Sequence, residues 1–429
     1  MQRVFVLSNT KKPLMPCHPA RARELLREGK AAVYRRIPFT IILKERSDGD
    51  LQPLELKLDP GSKATGVAIL GEFKRGKRLI FAANLSHRGQ AVKDALESRR
   101  SLRRSRRVRK TRYRAPRFLN RTRPKGRLPP SLMSRVCNVK AWVSKIQRFS
   151  PLSSISVETV RFDMQALENP EISGVEYQQG ELLGYEVREY LLEKWGRRCA
   201  YCQKEDVPLE VEHIRPKSLG GSNRVSNLTI ACRPCNERKG NKPIEEFLAK
   251  KKDLLTKILK GAKAPLKDAA AVNSTRYAIG SALKEFSLPL SFSSGGRTKF
   301  NRLKLGYPKD HWIDAACVGV TGEKVYISPF HKPLLIKAES RGSRQKCLPD
   351  KYGFPRTAPK AQKRVFGFQT GDLVEAKVTK GKKAGSYQGR VAVRSTGNFN
   401  IKAEGGIIQG ISYKACRIIQ RADGYSYIF

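Results

Sequence analysis

A chain of 429 residues is longer than one ordinary domain, so two to four modules are expected. Its 86 Lys+Arg against 38 Asp+Glu leave a net charge of +48, which calls for a polyanionic partner, most commonly nucleic acid. The apolar run near the start (VFVL) is too short for a signal-peptide core, and no stretch approaches the ~18 apolar residues of a membrane span, so no membrane partner is expected. Four of the nine cysteines form two CxxC pairs; Cys17, Cys137, Cys317, Cys347 and Cys416 are scattered, which suits a reducing cytoplasm better than a disulfide framework.

In chain order, a basic module opens with a strand (VFVL), the turn TKKPLMP, a helix (PARARELLREGKA) and a strand (FTIILKE). LELKLD, TGVAIL and RLIFAANL then read as three strands of an antiparallel meander. Residues 99–127 carry 15 Lys+Arg and no acid. Lacking Pro and Gly as far as Ala115, this stretch can be helical until Pro116 stops it. Basic residues surround such a helix, so Arg99, Arg100, Arg103, Arg104, Arg106, Arg107, Arg109, Lys110, Arg112 and Arg114 are expected to touch nucleic acid on more than one side. A helix (SRVCNVKAWVSKIQRF), the strand SISVE and a helix (ELLGYEVREYLLEKW) lead to the cysteines. Beyond them, IEEFLAKKKDLLTKIL and LKDAAAVNSTRYAIGSALKEF read as amphipathic helices, TKFNRLKL as a strand and HWIDAACVGVT as a helix. From about residue 360 short strands with Gly-rich turns suggest a small barrel.

Cys199-x2-Cys202 and Cys232-x2-Cys235 offer four thiolates from two turns, a donor set for one tetrahedral structural zinc. Between the pairs, the strand PLEVEHIRP carries Glu212 and His213, and Asn227 precedes a second strand, LTIA. Asn236 opens a helix. This ββα order of His, Asn, Asn resembles the HNH nuclease family. The resemblance implies His213 as general base, Glu212 and Asn236 as ligands of one Mg²⁺, and Asn227 as a brace for the histidine loop. Asn236 stands where many HNH enzymes carry His.

A second set of acids is dispersed. LELKLD ends in Asp59, SISVE ends in Glu158, and HWIDAACVG sets His311 and Asp314 on one helix face. Together they resemble the three-part pattern of a RuvC-type nuclease of the ribonuclease H superfamily. That implies Asp59, Glu158 and Asp314 as ligands of two Mg²⁺ ions, with His311 as a ligand or proton carrier. Asp163 falls past the strand end and ranks lower.

The order of KKPLMPCHPARARELL, KLDPGSKATGVA, the arginine helix, ISVETVRFD, the cysteine–EHI–Asn array and HWIDAACVG resembles the IscB family, transposon-encoded RNA-guided relatives of the type II CRISPR effector nuclease. The resemblance spans essentially the whole chain. It implies an α+β multidomain protein with a split ribonuclease H-like (RuvC) α/β core, an inserted zinc-containing HNH domain, an arginine-rich bridge helix and a C-terminal small β-barrel-like domain. The implied division is a PLMP domain (1–52), RuvC parts I (53–92), II (128–184) and III (249–355), the bridge helix (93–127), the HNH domain (185–248) and a domain reading a target-adjacent motif (356–429). Only 27 residues (128–154) separate the arginine helix from the second RuvC strand, too few for a recognition lobe. Guide binding would then lean on a large structured RNA, one chain per RNA, with base pairing choosing double-stranded DNA targets. Bacterial or archaeal cytoplasm, with nucleoid association through DNA, is the implied location. Two alternatives are an RNA-independent HNH homing or restriction endonuclease and a non-catalytic RNA-binding protein; co-purifying RNA and an RNA requirement for cleavage separate them.

Overall fold

A computed structural model describes residues 2–108, 127–159, 188, 191–192, 194–222, 225–263, 267–339, 347–358, 362–403 and 405–428. Arg109, Lys110, Arg112, Arg114, the Pro116 stop and Asp163 lie outside the described residues, as does most of the helix expected before the cysteines. The chain divides into two compact units, Met1–Thr159 with Tyr277–Phe429, and Val160–Arg276.

The larger unit is organised by the strand Leu54–Pro60. Leu54, Leu56 and Leu58 alternate into the main core, each at most 1% exposed, while Glu55, Lys57 and Asp59 take the opposite face. Burying each leucine contributes about 1.5–3 kcal/mol, so a one-residue slip in register would forfeit the core and turn the acids inward. The strand pairs antiparallel with Ala64–Phe73, which pairs antiparallel with Gly76–Ser86. On its other side it pairs parallel with Leu152–Glu158, which pairs parallel with Leu290–Ser293. Leu334–Ala338 and Tyr425–Ile428 extend the sheet beyond Gly76–Ser86.

Both faces of this sheet are covered. The helix Pro130–Phe149 packs Val136, Val139, Trp142, Val143 and Ile146 into the leucine core, joined by Ile279 and Leu283 of the helix Lys267–Lys284. The short helix His311–Ala316 packs Trp312, Ile313, Ala315 and Ala316 on the other face. It lies so close to Ala64–Phe73 that a Cβ on Gly66 would sit 1.8 Å from the His311 carbonyl oxygen, which makes glycine obligatory there.

The N-terminal module is a four-stranded sheet in which Val4–Leu7 lies between Pro13–Cys17 and Thr40–Leu43, with Ala31–Arg35 at the edge. Part of TKKPLMP is therefore a strand rather than a turn; its alternating burial of Leu14 and Pro16 shows why. The expected strand TKFNRLKL is helical instead, within Gly295–Lys304. Ser294 caps that helix by accepting from the Arg297 amide, and burial of Thr298, Asn301 and Arg302 follows helical spacing, leaving Phe300 and Leu303 outside. IEEFLAKKKDLLTKIL breaks into two helices, Ile244–Phe247 and Lys252–Lys263.

In the C-terminal region Leu373–Val378, Gly385–Ala392, Asn398–Ala403, Gly406–Ser412 and Cys416–Gln420 form a five-stranded antiparallel sheet. Its first and last strands in space, Gly406–Ser412 and Cys416–Gln420, are joined only by the turn Tyr413–Ala415. The four steps from Ser412 to Cys416 span at most about 14 Å, whereas four inter-strand spacings of a flat sheet need about 19 Å. The sheet is therefore rolled into an unclosed barrel around Val374, Val391, Phe399 and Ile401.

The smaller unit contains the hairpin of Leu209–His213 and Leu228–Cys232, paired from Leu228 opposite His213 to Cys232 opposite Leu209, followed by the helix Arg233–Lys239. Its core gathers Leu191, Leu192, Tyr201, Ile214, Ile230, Ile244 and Ile258 around the cysteines. Mixed α/β architecture is thus common to both units.

Gly66→Ala should cost about 1–3 kcal/mol by forcing the His311 helix off the sheet. Thermal unfolding checks this: a Tm several degrees below wild type is expected, and an unchanged Tm would contradict the close approach.

Candidate active sites

In the smaller unit the four cysteine Sγ atoms lie within 4.8 Å of one another. Cys202 and Cys232 are 3.6 Å apart, close to the ~3.8 Å edge of a tetrahedron with Zn–S bonds of about 2.3 Å. Burial pushes the Cys235 thiol up to about 12. Cys202 is held down to about 7: burial opposes this, but the Lys204 amide and the neighbouring thiols stabilise its thiolate. A donor set of four soft sulfurs fits zinc. It is the single group of three or more metal-type side chains this close together among the described residues.

His213 ends the first hairpin strand, half-buried. Asn227 braces the following loop: its Oδ1 accepts from the Arg215 amide at 2.9 Å, and its Nδ2 donates to the carbonyls of Arg215 (3.0 Å) and Ser222 (2.8 Å). The Asn227 carbonyl also accepts from the Ile214 amide at 2.8 Å, one residue after the histidine. Glu212 is 6% exposed. Tyr201 donates its hydroxyl to Glu212 Oε2 at 2.6 Å and Lys239 donates to Oε1 at 2.7 Å, so both oxygens are occupied. Burial and the Glu212 charge push the Tyr201 phenol far up, which keeps it a donor. Asn236 donates instead to Glu210 Oε2 at 2.8 Å, on the exposed part of the same strand face. Glu212 and Asn236 are therefore not paired here: Glu212 holds two buried protein donors and Asn236 holds Glu210.

In the larger unit, register continues from Leu58 opposite Val157, so Asp59 and Glu158 end neighbouring parallel strands on the same face. His311 Nδ1 lies 3.7 Å from Asp59 Oδ2, and this neighbouring carboxylate raises the histidine's pKa against the effect of burial. Asp314, one turn along the helix, is held up at about 6, first by burial and then by the Asp59 charge, although Arg302 and Lys309 oppose this. The Asp314 carboxylate, which burial and the Asp59 charge hold against ionisation, fits a hard divalent cation, which would relieve both effects. Asp59, Glu158, His311 and Asp314 are not, however, gathered into a metal-holding group as the four cysteines are.

Several supporting residues escaped the sequence reading. Arg302 donates Nε to Asp314 Oδ1 at 2.7 Å. Arg135 donates to the Pro60 and Gly61 carbonyls, fixing the turn after Asp59. Asp310 accepts from Asn84 Nδ2 and Trp312 Nε1, both at 2.8 Å, and so orients the first turn of the His311 helix. His87, kept neutral by burial with a pKa of about 3, bonds the Thr65 hydroxyl at 2.8 Å near the same turn. Only Asp310, placed just before a helix, carried a sequence signal. On the arginine helix Gly89–Val108, Arg99, Arg100, Arg103 and Arg104 are exposed. Arg106 donates to the Gly353 carbonyl at 3.4 Å, and nothing is described of the Arg107 side chain.

Compared with known proteins, residues 4–180 match the family described as RRXRR protein and residues 199–252 the family described as HNH endonuclease. No curated protein matches. Among solved structures, T. thermophilus RuvC in complex with a Holliday junction substrate is 12% identical, with 63% of this chain and 91% of that chain covered and a TM-score of 0.23. Streptococcus thermophilus Cas9 in complex with the GGAA PAM is 13% identical over 61% of this chain and 32% of that chain, with a TM-score of 0.21. The type II-C Cas9 of Actinomyces naeslundii is 16% identical over 49% of this chain and 32% of that chain, with a TM-score of 0.16. This chain thus spans about a third of the length of those two Cas9 proteins. Among the described residues no helix is long and apolar enough to cross a membrane.

Cys232→Ser should lower the zinc content from about one per chain to near none and loosen the hairpin, since a structural zinc site contributes folding energy. Metal analysis with limited proteolysis checks this; full zinc retention would contradict the four-sulfur site.

Proposed function

We propose that this chain, an IscB/Cas9-like nuclease with an HNH endonuclease domain, is an RNA-guided DNA endonuclease that makes two strand-specific cuts. The HNH unit would cut the RNA-paired strand and the ribonuclease H-like unit the displaced strand. What supports the reading is that His213 ends a hairpin strand in the cysteine-bearing unit, while in the other unit Asp59 lies opposite Glu158 and beside His311, with Asp314 one helical turn on.

In the larger unit Asp59, Glu158 and Asp314, with His311, would hold divalent ions. Those ions, when bound, activate water and stabilise the leaving oxygen. This chain's own contribution is positional. Arg135 fixes the turn after Asp59, Asp310 sets the helix carrying His311 and Asp314, and Arg302 neutralises Asp314. In the HNH unit His213 would take the proton of the attacking water, at the strand end just before the loop that Asn227 closes.

Charge supports the nucleic-acid half of the reading. The exposed arginines of Gly89–Val108 offer sequence-independent phosphate contacts, and the chain's +48 raises the local concentration of any polyanion. A guide RNA would bind through its backbone there, leaving base pairing to select the DNA. The rolled C-terminal sheet would read a short motif beside the target.

Strand-labelled DNA with guide RNA tests the division of labour. His213→Ala should leave a nickase that cuts only the displaced strand, and Asp59→Ala one that cuts only the paired strand, each losing its own cut by about 10³-fold or more. Double-strand breaks at the wild-type rate from either variant would contradict it.

A further inference from the structure

We infer that Glu212 is a positioning residue that locks the His213 strand onto both cysteine-bearing turns, rather than a ligand of a catalytic metal. The inference rests on the reading of His213 as the base of this unit.

The two donors to Glu212 come from the two halves of the cysteine site. Tyr201 lies inside the turn between Cys199 and Cys202, and its ring packs edge-on against Phe247 at 5.2 Å. Lys239 follows Cys235 by four residues on one helix, so the cysteine that anchors the helix start also aims the ammonium one turn later. One oxygen of the carboxylate is thus held from the Cys199–Cys202 turn and the other from the helix that carries Cys235, at 2.6 and 2.7 Å.

Lys239 extends the lock to the catalytic residue, because its ammonium also donates to the His213 carbonyl at 2.8 Å. Its side chain is 0% exposed. A buried ammonium is tolerated only beside a full opposite charge, so Lys239 and Glu212 hold each other in place. A divalent ion would have to reach a carboxylate that is 6% exposed and already shares its oxygens with a buried cation and a buried phenol.

Strand alternation supplies the contrast. Glu210 shares the face of Glu212 two residues earlier, but it is exposed and receives Asn236. The helix spacing of Asn236 and Lys239 thus matches the strand spacing of Glu210 and Glu212, and each helix residue takes one acid. The carboxylate beside the catalytic histidine is the one committed to the interior.

The test uses the full-length chain in an Asp59→Ala background, with Glu212→Gln, Tyr201→Phe and Glu210→Gln compared. Two quantities are read: the rate of zinc release from RNA-free protein to a chromogenic chelator, and the Mg²⁺ concentration giving half-maximal nicking with guide RNA. Glu212→Gln and Tyr201→Phe should both speed zinc release by about tenfold and lower the maximal nicking rate, while half-saturation by Mg²⁺ stays within about twofold. Glu210→Gln should leave zinc release unchanged. A tenfold or greater rise in the Mg²⁺ requirement for Glu212→Gln, with zinc release unaltered, would overturn the inference. So would wild-type zinc release from Tyr201→Phe, a variant that removes only one hydroxyl and should fold. Absence of any His213-dependent nick would defeat the nuclease reading of this unit, yet leave the zinc-release comparison to decide the role of Glu212.

Discussion

Pairing of the strand Leu54–Pro60 between Ala64–Phe73 and Leu152–Glu158 is the constraint on which the larger unit depends. Its even-numbered leucines have one place to go, the core under the helix Pro130–Phe149. That burial fixes register, and register delivers Asp59 to the open end of the strand beside Glu158. The helix His311–Ala316 can approach because Gly66 leaves room for its first carbonyl. Acidic groups from three distant parts of the chain are thus carried to the same end of the sheet because apolar side chains elsewhere on the same elements are buried.

The smaller unit solves its problem differently. It is small, and its core of Leu191, Ile230, Ile244 and neighbours surrounds four crowded sulfurs. A buried network of Tyr201, Glu212 and Lys239 then joins the cysteine turns to the strand that ends in His213. Such a network is stable only when complete, since removing one member leaves a buried charge or donor without a partner. Fold stability and the placement of His213 are therefore linked through the same side chains.

The parts of this picture that were legible in the sequence have short-range signatures. Alternation in LELKLD and TGVAIL marks strands over a few residues, and CxxC spacing marks a metal turn. TKFNRLKL misled because its alternation competes with a serine cap just outside the segment, and the cap with buried Thr298, Asn301 and Arg302 prevails. The Tyr425–Ile428 strand went unread because its partner, Leu334–Ala338, lies some ninety residues away. Contacts at the sites are also long-range: Glu212 meets Lys239 across 27 positions and Tyr201 across 11, and no local pattern distinguishes its buried carboxylate from the exposed one of Glu210. Sequence reasoning finds the residue types that chemistry needs; it does not find which of two neighbouring acids the fold has already occupied.

Guidance by RNA is the central claim about how this charge and these two sites work together, and its direct test is dependence on the RNA itself. The chain is purified free of nucleic acid and assayed on duplex DNA carrying a chosen target, with and without a candidate guide RNA bearing a matching segment. Cleavage at the target only when that RNA is present, and relocation of the cut when the guide segment is changed, is the expected result. Cutting of the same site at the same rate by RNA-free protein would contradict the account.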